Sequence, residues 1–222
     1  MRFHQFSVLK SGTIKAIILV CLADGIVGIS YGSLATGVGF PFWVPMALSL
    51  FVLAGASEFL FIGIVSSGGS PFAAAAAGLL VNARHLPFGI AVKDLVGKKT
   101  TSLLGCHIVN DESVVFGVSQ PSKAECKAAF WLCGLGIALC WPLGVIIGGS
   151  IGQIIPDPQA IGLDAVFPAI LLALTLPALK NAKTIISACS GALISLAAVP
   201  FVPVGMPVLF SLLGLAIRKK KS

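Results

Sequence analysis

A chain of 222 residues that is 57% hydrophobic and only 10% charged, with mean hydropathy +1.02, lies far outside the soluble range of roughly 45–50% apolar and about 25% charged residues. That excludes a soluble domain; in the absence of alternating ten-residue strands it points to an all-α, polytopic integral membrane protein instead of a barrel. The net charge of +7 comes from 15 Lys+Arg against 8 Asp+Glu and gathers beside apolar runs, where it reads as a topology signal, so no nucleic-acid partner is expected.

About 20 apolar residues cross a ~30 Å hydrocarbon layer. That ruler gives spans at 16–38, 42–65, 72–92, 128–151, 162–179 and 184–202, and a shorter one at 203–217. A further run, 102–119, carries His107, Asn110, Asp111 and Glu112 in its middle. It either crosses while lining a wet cavity or enters and turns back. The expectation is one transmembrane domain over 1–222 with 7 to 8 helical segments in lipid. The first apolar run is longer than a signal-peptide core and leads into another span, so no leader is expected to be removed. If 102–119 crosses, the N-terminus is cytoplasmic but Lys93, Lys98 and Lys99 face outward; if it turns back, those lysines move inside and Arg2, Lys10 and Lys15 move outside. Each arrangement breaks the positive-inside rule once.

Segments 31–39 and 143–152, both glycine-rich and followed by a proline turn and a span, suggest repeat halves at 15–119 and 127–217, inverted if 102–119 turns back. Within spans, Gly28/Gly32 and Gly144/Gly148 have the i, i+4 spacing of close helix contact. The competing reading is discontinuous helices whose backbone groups line a site. Pro87 denies a hydrogen bond to the carbonyl of Ala83, and so frees an acceptor inside Asn82–His85. Five of the six cysteines lie in apolar runs and read as small packing residues.

Asp24, Glu58, Arg84, Asp111 and Glu112 all fall inside apolar runs. Such charges cost roughly 2.5–3.5 kcal/mol each at a helix centre, so they face protein or water and pair. Four carboxylates against one guanidinium exceed what pairing satisfies, and this leaves an acid able to carry a proton. Helical spacing puts Asn82 and His85 on one face, and His107 and Asp111 on another. No third ligand accompanies His107 and Asp111, and there is no metal, phosphate-loop or nucleophile motif. Neither cofactor nor enzymatic activity is therefore expected. An intramembrane hydrolase using His107, Asp111 and Glu112 stands as one alternative, and a non-transporting assembly subunit as another.

Five stretches in order, "LAGASEF" (53–59), "VNARH" (81–85), "NDES" (110–113), "CWPLGVIIGGSIG" (140–152) and "PDPQAIGLDAVFPAILLAL" (156–174), resemble the motifs of the AzlC family. The resemblance covers most of the chain. It implies the large subunit of a bacterial inner-membrane exporter of branched-chain amino acids of the valine type, working with a small AzlD-type membrane subunit. The family's Asn-x-Arg-His falls on Asn82, Arg84 and His85, and its Asp-Glu pair on Asp111 and Glu112. The chain departs from the pattern at Glu58, where glutamine is usual, and at Ser30, where proline is usual. With the charge argument this gives Asn82, Arg84, His85, Glu58 and Tyr31 as expected substrate-binding residues. Asp111, Glu112, His107 and Asp24 are the expected proton-coupling residues. A homo-oligomer is compatible with all of this.

Overall fold

The computed structural model describes residues 7–98, 100–154, 179–203 and 206–217, with Ala169, Leu172, Thr175 and Leu176 between them. The expected span 162–179 and the motif at 156–174 therefore lie, apart from those few positions and Leu179, outside the described residues. Among the described residues all regular structure is helical: α1 (Ser11–Gly37), α2 (Trp43–Phe51), α3 (Gly55–Ser66), α4 (Pro71–Asn82), α5 (His85–Ala91), α6 (Thr100–His107), α7 (Asp111–Val118), α8 (Lys123–Gly152), α9 (Ala182–Ala198), α10 (Pro207–Phe210) and a 3-10 turn over Ser211–Ile217. Two of these, α1 and α8, are long and apolar enough to cross a membrane. The chain forms two compact units, Met1–Glu58 with Asn82–Pro158, and Phe59–Val81 with Gln159–Ser222.

The first unit is built on α1 against α8. Both present small residues, so their backbones touch: a Cβ on Gly28 would lie 2.8 Å from the Trp141 carbonyl, one on Gly144 would strike the Gly25 carbonyl, and one on Gly148 that of Ile29. Close approach lets side chains reach across, with the Ser33 hydroxyl donating to the Gly148 carbonyl at 2.9 Å and that of Thr36 to the Gly149 carbonyl at 3.0 Å. Glycine at i, i+4 is thus a contact face here, as in small-residue membrane helix pairs. The partners advance together, Cys21 with Cys133, Gly28 with Trp141 and Thr36 with Gly149, so the two helices run parallel. Pro142 lies inside α8 without ending it. Among the cysteines, Cys21 and Cys133 are buried in this interface, whereas Cys106 and Cys189 are exposed and so do not serve packing within the chain.

Three apolar runs are broken, two of them expected to be single spans and the third, 102–119, expected either to cross or to turn back. The run 42–65 divides at Leu53, whose φ of 50° is unusual for a branched residue, and the next turn begins at Gly55, where a Cβ would press 3.0 Å from the Trp141 ring. The run 72–92 divides at Ala83–Arg84, because Pro87 cannot continue the ladder. The run 102–119 divides at Ile108–Asn110: Asn110 caps α7, its Oδ1 accepting from Ser113 N–H at 2.8 Å while Ser113 Oγ accepts from Asn110 N–H at 3.0 Å.

The α6–α7 pair doubles back. Trp131 Nε1 donates to the Leu95 carbonyl at 2.9 Å, Gly117 lies against Phe130, and Ile108 at the tip lies against Gly134. Both ends of the pair therefore sit at the start of α8 and its tip reaches the middle. From the other direction α2 descends along α8, with Phe42 against Gly149 and Gly55 against Trp141. The two tips are seven residues apart on α8, about 10 Å along its axis at 1.5 Å per residue.

In the second unit α9 packs on the 3-10 turn through Gly191 and Gly214, and Ser195 Oγ donates to the Pro207 carbonyl at 2.8 Å. Leu60, Ile64, Ala74 and Ala77 form its buried cluster, with Val208 and Leu209 against them.

Candidate functional site

The breaks bring polar residues to the middle of α8. Arg84, in the turn between α4 and α5, pairs through Nη2 with Asp111 Oδ2 at 3.0 Å, and both side chains remain open, 37% and 41% exposed. Asp24 of α1 lies within electrostatic range of Asp111 and Glu112, and Glu112 within that of Arg84. Three carboxylates and one guanidinium thus share a neighbourhood, so the cluster is negative when all are ionised. Asn82 Oδ1, Arg84 Nε and Asn110 Nδ2 are buried and without a hydrogen-bond partner among the described residues.

The backbone around Arg84 differs from the expectation. The Ala83 carbonyl is not free: it accepts from Leu86 N–H at 3.1 Å, because the chain tightens to i, i+3 bonding before Pro87. Asn82 and His85 stay on one side although α4 ends at Asn82: both line one cavity, and the His85 ring meets the Asn82 carbonyl through Nδ1 at 3.0 Å. His107 and Asp111 do not share a helix face: His107 ends α6, Asp111 begins α7, and the capping Asn110 turns the chain between them. His107 is exposed and makes no hydrogen bond or ion pair among the described residues, so the triple of His107, Asp111 and Glu112 is not joined by contacts.

Glu58 and Tyr31 form a separate cluster on α8. Glu58 is 1% exposed; its Oε1 accepts from Ala54 N–H at 2.9 Å and its Oε2 from Trp141 Nε1–H at 3.2 Å. Tyr31 stacks on the same indole at 5.7 Å between ring centroids. The carboxylate ties the α2–α3 turn to α8, satisfying a backbone amide that the break would leave orphaned.

A cavity of about 640 Å³ adjoins the first cluster. Asn82, His85 and His107 line it beside Val52, Ile90 and Val109, within the usual size of small-ligand sites of roughly 300–1,000 Å³. The structure therefore brings Asn82, His85 and His107 to one cavity, and Arg84, Asp111, Glu112 and Asp24 to the ion-pair cluster beside it. Asn110 was absent from the expected set. Its signal was present in Asn-Asp-Glu-Ser, a polar cap followed by first-turn acids, which marks a helix start and not a spanning interior.

Comparison with known proteins shows the family to which the chain belongs. The family model described as AzlC protein matches residues 19–155, more than half of the chain. The chain belongs to the AzlC family. The matched region spans every expected site residue, from Asp24 to Glu112, together with most of α1 and all of α8. Among relatives, the branched-chain amino acid transport protein AzlC of Bacillus subtilis (strain 168) is 28% identical over 173 residues, 77% of this chain and 68% of that protein. An uncharacterized membrane protein of Haemophilus influenzae is 26% identical over 133 residues, 58% of this chain and 54% of its own length. Another, of Helicobacter pylori (strain J99), is 26% identical over 186 residues, 80% and 79% of the two chains. No solved structure matches the chain. With AzlC relatives named as membrane proteins and two helices able to cross, this AzlC member is a membrane protein.

Proposed function

We propose that the chain is a multi-pass secondary transporter of the bacterial cytoplasmic membrane that exports branched-chain amino acids of the valine type, coupled to protons and assembled with a small AzlD-type subunit. The observation that carries the reading is the Arg84–Asp111 pair, which joins the break of one helix to the tip of a doubled-back pair in mid-protein. Interrupted helices meeting at the membrane centre are the common construction of secondary-transport sites. The name of the Bacillus subtilis relative supplies the substrate class.

In this reading Arg84 takes the substrate carboxylate and Asp111 its ammonium, while the branched side chain occupies the 640 Å³ cavity, against Val52, Ile90 and Val109. Asn82 and His85 position the ligand from the cavity wall. Asp24 and Glu112, the carboxylates left without the guanidinium, carry the coupling proton, and His107 on the cavity wall relays it. Glu58 and Tyr31 act on the substrate through the α2–α3 turn that they hold.

The same geometry supports a topology. The starts of α1 and α8 lie together, and Asp94 and Leu95 line a small cavity with Lys123 and Lys127. Lys10, Lys15, Lys93, Lys98, Lys123 and Lys127 then share the cytoplasmic face, which removes the conflict with the positive-inside rule. Run 102–119 turns back, and one of the runs 42–65 and 72–92 crosses while the other also turns back. The chain then has eight membrane segments, two of them re-entrant, if the runs at 162–179, 184–202 and 203–217 each cross. The repeat halves would be related by an axis along the membrane normal, as the parallel α1 and α8 require.

The test is efflux of labelled valine from vesicles, with and without an imposed pH gradient and with and without a small apolar partner subunit. Efflux that rises with the gradient and needs the partner is the expected result. Efflux indifferent to the gradient removes the proton from the mechanism, and no efflux of any branched-chain amino acid removes the function.

A further inference from the structure

The groups around the ion pair carry the reading further, to how the site recognises its ligand; the step rests on the transport function proposed above. We propose that the Arg84–Asp111 ion pair is a lock opened by the two charges of an α-amino acid, and that Asn110 is a carboxylate-binding residue of that site.

Arg84 spends Nη2 on Asp111, yet its Nε–H is buried without a partner. Asn110 spends Oδ1 on the α7 cap, yet its Nδ2 is also buried without a partner, in a residue only 5% exposed. Asn82 Oδ1 is a buried acceptor in the same condition. Buried polar groups are almost always bonded, so each such group needs an explanation. These three are two donors and one acceptor: one belongs to Arg84 itself, one to Asn110 directly before Asp111, and one to Asn82 two residues before Arg84. A carboxylate takes the two donors together with the released guanidinium, and an ammonium donates to Asn82 Oδ1 and the released Asp111. The pair is open enough to be reached, at 37% and 41% exposure, and Asn82 lies on the wall of the apolar cavity.

A ligand with one charge opens only half of the lock. A monoanion leaves Asp111 unpaired among the like charges of Asp24 and Glu112, and a monocation leaves Arg84 without an anion; each loses the opposite charge that favours its ionised form. The site therefore selects zwitterions over the acid or the amine of the same carbon skeleton.

The test is equilibrium binding of labelled valine to the full chain in lipid nanodiscs, with 3-methylbutanoate and 2-methylpropylamine as competitors. In the unmodified protein, valine is expected to bind and neither competitor to displace it at about hundredfold excess. Asp111→Asn frees Arg84 and is expected to weaken valine at least about tenfold while strengthening 3-methylbutanoate by a similar factor. Asn110→Asp keeps an oxygen for the Ser113 cap but replaces the donor by a further anion, so valine is expected to weaken at least about tenfold. Unaltered valine binding by Asn110→Asp overturns the role of Asn110, and an Asp111→Asn protein with no gain for the acid overturns the lock. Absence of valine binding in the unmodified protein overturns the transport reading itself, a result distinct from either.

Discussion

Gly148→Ala tests the α1–α8 interface on which the site is assembled. The added methyl group strikes the carbonyl of Ile29, which is backbone and cannot rotate away, so the helices must separate. Overpacking of this kind costs about 1–3 kcal/mol. Separation also stretches the bonds from Ser33 and Thr36 to the Gly148 and Gly149 carbonyls, and interhelical hydrogen bonds in membranes average about 0.6 kcal/mol each. The total is about 2–4 kcal/mol, or roughly 30- to 700-fold in the folding equilibrium at 1.4 kcal/mol per decade. Gly12→Ala is the control: a Cβ there meets nothing within 4 Å, and it shares the gain in helix propensity. Unfolding in mixed micelles by titration with a denaturing detergent, followed by the fluorescence of Trp131 and Trp141 on α8, measures both. Equal stability of the two variants, within about 0.5 kcal/mol, would refute the close-packed parallel pair.

Glu58→Gln retains an acceptor for only one of Ala54 N–H and Trp141 Nε1–H and is expected to cost about 1–3 kcal/mol, whereas Glu58→Leu leaves both buried donors unpaired and is expected to cost roughly twice as much; the same detergent titration separates them. In a cysteine-free background, single cysteines replacing Lys98 and Lys127 are expected to react with a membrane-impermeant maleimide from the same, cytoplasmic side, and one replacing Gly39 from the other. Labelling of positions 98 and 127 from opposite sides contradicts the doubled-back α6–α7 pair. Exchanging the charges by Arg84→Asp together with Asp111→Arg is expected to recover the stability lost in Arg84→Asp alone, because the pair is re-formed. A double variant no more stable than the single one shows that the ion pair does not hold these elements.

Helices α1 and α8 were legible because hydropathy and helix coincide there. Each extends a few residues beyond its apolar run at the N-terminal end, since Ser11–Lys15 and Lys123–Lys127 are polar but helical. The runs at 42–65 and 72–92 read as single spans because an average over 20 residues hides a local break, and for 102–119 the sequence left crossing and turning back both open. The breaks were nonetheless written in the sequence: Gly55 beneath an indole, Pro87, and the Asn110–Ser113 cap. Pro142 shows the limit of such signals, because α8 carries it unbroken against α1. The cluster of charges announced that Arg84 needed an acid, yet with four acids available composition did not choose among them. The choice of Asp111 follows from where Asn110 starts α7, and the choice of Trp141 for Glu58, 83 residues away, follows from how α2 descends along α8. Both are tertiary facts that no window of sequence contains.

The central claim is that the meeting of broken helices at Arg84 and Asp111 is where substrate passes. Its most direct measurement is valine efflux from loaded vesicles by the unmodified protein, Arg84→Ala and Asp111→Asn, each present in equal folded amount and with the same partner subunit. A fall of at least about tenfold in both variants, the loss of a charge-assisted contact of roughly 1.5–3 kcal/mol, is the expected result. Efflux that survives both substitutions contradicts the site.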